Sequence, residues 1–286
     1  MNYRFKDSYN IITFPTDPTE EDRGLKECCE PQLKLASLID NASEKNDLTG
    51  VVIKASDISD TVTFSIKRCD DQIDLPLLGN VLVCPQDNLA FGFIFEWKQY
   101  LIAHGRGKYQ ISINYSISGV VGGYIYGTYF LDEFSISRAS GTVRIYSKFD
   151  SKDQLKNIDY TSSNFEDTIR FKGYFGDIQP KTVINNLINK GRKEEKVTRE
   201  DLTEYTLRTN LLSSLLTEQI RRNLRNQDEC WIMDHNISNH IYFNEQVPVV
   251  IASPPEYEYF DGGRPAKMTV VFGDRIKNVK SYYNLQ

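Results

Sequence analysis

Tyr205-Thr206-Leu207-Arg208-Thr209, followed by Leu212, Leu216, Ile220 and Leu224, decides the fold of this chain. The first five residues alternate apolar and polar, the signature of a half-buried strand. The next four recur at every fourth position, as one face of a helix requires. The period therefore changes from two to about 3.6, which predicts a strand feeding an amphipathic helix near residues 212–226. From there to Tyr283 the pattern returns to strands: one, then a hairpin, then two more. The C-terminal module is expected to be a sheet with one helix packed on it, and almost no polar constellation in it could do chemistry.

The same period of two runs upstream. Val62, Phe64 and Ile66 alternate, as do Tyr109, Ile111, Ile113, Tyr115 and Ile117, with Gln110, Ser112, Asn114 and Ser116 on the opposite face. Gly119 to Gly123 supply a turn before Tyr124-Ile125-Tyr126, and Ser140-Gly141 another before Val143-Arg144-Ile145-Tyr146. Strands at this spacing predict a mainly β (α+β) fold of antiparallel sandwich or barrel domains. Phe93 to Ile102 reads as a strand or a short helix holding a buried Trp97.

Three regions follow. Residues 1–50 read as an extended N-terminal arm or loop, because Phe14 to Asp22 combines two prolines with four acids. A short helical pattern is expected at Leu33, Leu35, Ala36, Leu38 and Ile39. Residues 51–150 form a sandwich-like domain, and 151–286 a β-rich domain with the helix. The charged stretch Asn189 to Glu200 is expected to be an exposed loop.

Composition narrows the function. The 286 residues carry a net charge of -5 with both signs interspersed, so no basic field exists to grip a nucleic-acid backbone. The five cysteines are odd in number and lack CxxC spacing, which fits reduced thiols in a cytoplasmic folding environment. No run approaches the roughly 20 apolar residues that cross a bilayer, so no membrane insertion is expected.

Each candidate reactive group also has an ordinary structural reading. Cys230, His235 and His240 form a C-x4-H-x4-H pattern that suggests zinc, but a fourth ligand is wanting. His104 precedes Gly105 and reads as a turn residue, and no G-x-S-x-G elbow accompanies any of the three histidines. Gly105-Arg106-Gly107-Lys108 resembles a phosphate loop only superficially, since a strand, not a helix, follows it. Asp70, Asp71 and Asp74, and likewise Glu256, Glu258 and Asp261, could form a glycosidase pair but are also ordinary turn acids. Arg221, Arg222 and Arg225 give the helix a solvated basic edge. The reading is no catalytic residue, no metal site and no cofactor.

Several blocks together resemble the virion tail or neck proteins of tailed bacteriophages, the crAss-like phages above all. They are Thr61 to Asp70, Glu96-Trp97-Lys98 with Gly105 to Tyr109, Gly141-Thr142-Val143-Arg144-Ile145, Thr168 to Gly176, and the terminal strand-helix-strand order, similar in plan to the tail-tube and distal-tail fold. The resemblance implies a non-enzymatic subunit that self-associates into a ring in the tail or head-to-tail neck. Its partners would be other tail, neck or portal proteins, and DNA would only pass through the lumen. Its location would be the virion, after assembly in the host cytoplasm. The alternative is a carbohydrate-binding or receptor-binding β-sandwich module of a tail.

Overall fold

The computed structural model describes residues 4–5, 12–13, 32–39, 45–55, 60–117, 120–153, 158–188, 194–212, 214–239, 243–260, 264–274 and 278–281. Most of the expected N-terminal arm, and with it Pro15 to Asp22, lies outside the described residues.

The first part of the chain builds two sheets. β1 (Arg4–Phe5) and β2 (Ile12–Thr13) form a small antiparallel pair. β3 (Gln32–Ala36), β4 (Leu48–Lys54), β5 (Thr61–Arg68), β6 (Ile73–Leu75), β7 (Gly79–Val83), β8 (Ala90–Glu96), helix α1 (Trp97–His104), β9 (Gly107–Ile117) and β10 (Val120–Glu133) follow. They sort into a five-stranded sheet, β3-β10-β9-β5-β6, and a three-stranded sheet, β4-β8-β7. Every pairing in the two is antiparallel except β3 with β10.

The alternation seen in the sequence decides how they stack. Val51, Ile53, Phe93 and Phe95 point one way from the three-stranded sheet and meet Ile66, Tyr109, Ile111, Ile113, Tyr129 and Leu131 of the larger one. Trp97 plugs this core from α1, its ring 5.1 Å from that of Tyr129 and its indole N–H donated to Thr49 Oγ1 at 2.9 Å, so no polar group is stranded. The segment expected to be strand or helix is both: the strand ends at Glu96 and the helix starts at Trp97.

The rest of the chain forms a closed barrel. After the short helix α2 (Ile136–Ala139), capped by the Ser135 hydroxyl accepting from Arg138 N, come β11 (Thr142–Phe149), β12 (Lys152–Asp153), β13 (Ile158–Asp159), β14 (Phe165–Ile188) and β15 (Glu194–Thr209). Then come α3 (Ser214–Asn226), β16 (Glu229–Asp234), β17 (Gln246–Ile251), β18 (Glu256–Phe260), β19 (Arg264–Asp274) and β20 (Asn278–Ser281). The ladder β11-β14-β15-β19-β17-β16 returns to β11, so six antiparallel strands close on themselves; β18 hangs on β19 and β20 on β15. Closure removes the edges that an open sheet would leave.

Val143, Ile145, Ile169, Phe171, Leu207, Ile232, Val249, Val270 and Phe272 fill the barrel, and α3 adds Ile220 and Leu224 to the same core. The helix is the one its four-residue repeat predicts. The three-stranded sheet contributes its other face, Val52, Leu82 and Ile94, beside Phe149, Tyr160 and Phe165. It is thus a middle layer with core on both sides, and the barrel is joined to the N-terminal sheets through it.

Two local expectations are corrected. Leu33 to Ala36 is strand, not helix: β3 lies parallel to the end of β10, with Leu33 opposite Phe130 and Leu35 opposite Asp132. A long-range partner overrode an ambiguous local period. The charged stretch expected to be a loop is largely strand, since β15 begins at Glu194 and pairs with β14 back to Ile188. β11, at the end of the region expected to be a sandwich, is a barrel strand.

Candidate functional site

The residues singled out from the sequence do not converge. Cys230 faces the barrel interior, and burial pushes its thiol up to about 12. His235 lies just past β16, edge-on to Phe134 at 5.5 Å, with its N–H backbone bonded to Thr142 O. Burial, assisted by the Arg170 charge, pulls its pKa down to about 3. His240 is outside the described residues. Among the described residues no group of three His, Cys, Asp or Glu side chains could hold a metal.

Asp70 and Asp71 stand at the exposed β5–β6 turn, 3.9 and 3.8 Å from the Arg68 guanidinium. Glu256 and Glu258 are exposed on β18, and Asp261 is outside the described residues. Arg106 lies in the turn between α1 and β9 and pairs with Asp132 at 3.2 Å and Glu133 at 3.1 Å, as a turn residue and not a phosphate ligand would. His104 ends α1 beside the Tyr100 ring. Arg221 and Arg225 are exposed on α3. Among the described residues no helix is long and apolar enough to cross a membrane.

What the fold does bring together carries no local signal in the sequence. Arg144 of β11 and Arg170 of β14 are direct cross-strand partners on the outer wall of the barrel, a like-charge pair that repels on its own. Asp47, from the turn before β4, lies over both. Its Oδ1 accepts from Arg144 Nε at 2.9 Å and Arg170 Nη2 at 3.1 Å, and its Oδ2 from Arg170 Nε at 2.8 Å and the Leu35 amide at 2.8 Å. Arg144 also donates to Asn46 O at 2.7 Å and Arg170 to Thr142 Oγ1 at 3.2 Å. All three charged groups are buried. Burial works against the Asp47 carboxylate, but the two guanidiniums outweigh it and hold its pKa far below the usual carboxylate range.

A second set adjoins the first. Lys34 of β3, fully buried, donates to Leu48 O at 2.9 Å and Thr168 O at 2.6 Å; burial lowers its pKa against the pull of Asp167 and Asp47. Asp167 accepts from the Gly50 amide at 3.0 Å and Asn223 Nδ2 of α3 at 3.3 Å. The Thr168 hydroxyl bonds the Leu48 backbone. β4 crosses β14 so closely here that a Cβ on Gly50 would overlap the Phe165 ring and lie 2.6 Å from Glu166 O. Strand β3, strand β4, the barrel wall and the helix are thus locked at one buried polar joint.

A cleft of about 450 Å³ opens above the joint between Asn46, Glu96, Lys98, Arg144, Tyr146, Glu166 and Gln246. That volume suits a small molecule. Two of its acids are already engaged, Glu96 accepting from Asn80 and Gln99 and Glu166 pairing with Lys148 at 3.1 Å, while Gln246 Oε1 is buried with no hydrogen-bond partner among the described residues. Burial, with the Glu166 charge, pushes the Tyr146 hydroxyl well above its ordinary range. Asp47 and Tyr146 are both displaced away from neutrality, so neither is poised to exchange a proton near pH 7. The arrangement holds the barrel and the N-terminal sheets together. No protein-family model, curated protein or solved structure matches the chain.

Proposed function

We propose that the chain is a structural subunit that acts by assembling: a ring member of the tail or head-to-tail neck of a tailed bacteriophage, forming part of the conduit for DNA. The phage setting rests on the sequence resemblance. The observation that carries the assembly reading is the hairpin of β14 and β15. β11 leaves β14 at Lys172 and β19 leaves β15 at Glu204, yet the hairpin runs on to Ile188 and Glu194 with, among the described strands, β20 alone beside part of it. From Gln179, the register partner of Glu204, to Ile188 that is about 30 Å of hairpin beyond the barrel at ~3.3 Å per residue. A closed barrel has no need of such an arm for its own stability, whereas neighbouring subunits in a ring can use it to bind one another.

Purified full-length chain, studied by sedimentation and electron microscopy over a range of concentrations, is expected to form closed rings. A chain that stays monomeric at the highest concentration and binds an oligosaccharide overturns this reading in favour of a saccharide-binding module.

A further inference from the structure

The three-stranded sheet is guarded on one side and, among the described residues, uncovered on the other. The outer edge of β4 is occupied: Thr168, Asp167 and Lys34 bond the backbone of Leu48 and Gly50. β7 forms the opposite edge, and β8 is its strand partner. The Glu96 amide donates to Leu78 O at 3.3 Å, which fixes the phase of the ladder. Leu78, Asn80 and Leu82 direct their backbone groups at β8, and Gly79, Val81 and Val83 direct theirs outward. No described residue meets those outward groups. The side chains of Val81 and Val83 are 74% and 66% exposed.

Edge strands are ordinarily protected by charge, proline or a bulge. β18 carries Glu256 and Glu258, β20 carries Lys280 and β6 carries Asp74. β7, Gly79-Asn80-Val81-Leu82-Val83, has none of these. It is also held rigid. The Tyr100 hydroxyl accepts from the Leu78 amide at 2.7 Å, and Gly79 sits at φ +142° where any Cβ would overlap Ile94 O.

We propose that β7 pairs antiparallel with β7 of a second copy of this chain, about a two-fold axis at Val81. This rests on the reading of the chain as an assembling subunit and adds a specific contact to it. Centring on Val81 sets Gly79 against the partner's Val83, Val81 against the partner's Val81, and Val83 against the partner's Gly79. Every outward group of the strand is then satisfied, since each of these pairs exchanges both its bonds. The uncharged edge meets no like charge in its own copy, and two three-stranded sheets become one of six. An acidic partner strand would meet a like charge in Glu96, whose carboxylate accepts from Asn80 of β7.

The test uses the full-length chain. Val81→Lys sets two ammonium groups against each other at the axis and is expected to weaken self-association by ~10-fold or more in sedimentation. The far-ultraviolet circular dichroism should not change, because the side chain is exposed. Val81→Cys is expected to give a disulfide-linked dimer under mild oxidation that the wild type, with its own cysteines, does not. The centre pair of such a ladder has Cα atoms ~5.5 Å apart, inside the span a disulfide bridges. If Val81→Lys assembles like wild type, or Val81→Cys does not cross-link, the pairing is wrong while assembly itself stands. If the wild type is monomeric throughout, both readings fall.

Discussion

Asp47 is the residue on which most of the buried charge depends. Without its carboxylate, Arg144 and Arg170 face each other, buried, across adjacent strands, with the neutral Asn46 carbonyl and Thr142 hydroxyl as acceptors. Asp47→Asn keeps the shape and removes the charge, so it leaves two desolvated cations unpaired. The expected cost is ~3–5 kcal/mol, read as a lower denaturant midpoint. Acid separates this residue from His235. Asp47 has a folded pKa below its unfolded value near 3.8, so its contribution is intact above about pH 4 and is lost as pH falls below that. His235, held down to about 3, is neutral in the folded chain while the unfolded chain takes up a proton near 6.5. Its contribution is therefore complete above about pH 6.5 and declines as pH falls from there toward 3, with a slope of up to ~1.4 kcal/mol per unit. Equilibrium unfolding from pH 7 to 4 should show that decline, and His235→Gln, which cannot titrate, should flatten it. A slope unchanged in the variant would assign the effect to other groups.

Among the elements, α3 shows how local pattern and distant partners divide the work. Leu212, Leu216, Ile220 and Leu224 announced the helix because a repeat of four needs no knowledge of the rest of the chain, and Ile220 and Leu224 do enter the barrel core. Ile220→Ala should cost ~2–4 kcal/mol through lost burial and an unfilled space, measured by denaturant titration. The alternating strands Val62 to Ile66 and Tyr109 to Ile117 were legible for the same reason. The polar joint was not. Arg144 sits in Thr142-Val143-Arg144-Ile145 and Arg170 in Thr168-Ile169-Arg170-Phe171, each at the polar phase of an alternating strand, which reads as an exposed face. Only the arrival of Asp47, 97 and 123 residues away along the chain, buries them. β3 is not legible locally, because its short apolar run fits either period until β10 lies beside it. The length of β14 is hidden in the sequence because Asp177, Gln179 and Pro180 break its apolar pattern, and the register does shift between Gly176 and Gln179.

At the scale of the whole molecule, barrel and arm share two strands but not their energetics. The barrel is closed by β14 pairing with β11 up to Lys172 and β15 pairing with β19 from Glu204 to Arg208, with Phe175, Tyr205 and Leu207 inside. Beyond Gln179 and Glu204, which are register partners, the hairpin bonds to itself and, over Thr198 to Asp201, to β20. Replacing Pro180 to Thr203 by Asn-Gly therefore joins two residues already opposite each other through a turn whose twist suits them. The shortened chain should keep its β-rich circular dichroism and a cooperative unfolding transition, since no barrel pairing is removed. If the arm binds the neighbouring subunit, the same chain should lose ring formation in sedimentation and electron microscopy while remaining folded. Loss of folding would mean that the arm and β20 belong to the barrel's own stability, and rings that persist without the arm would transfer the ring contact to another surface, not to β7, whose two-fold pairing closes on a dimer.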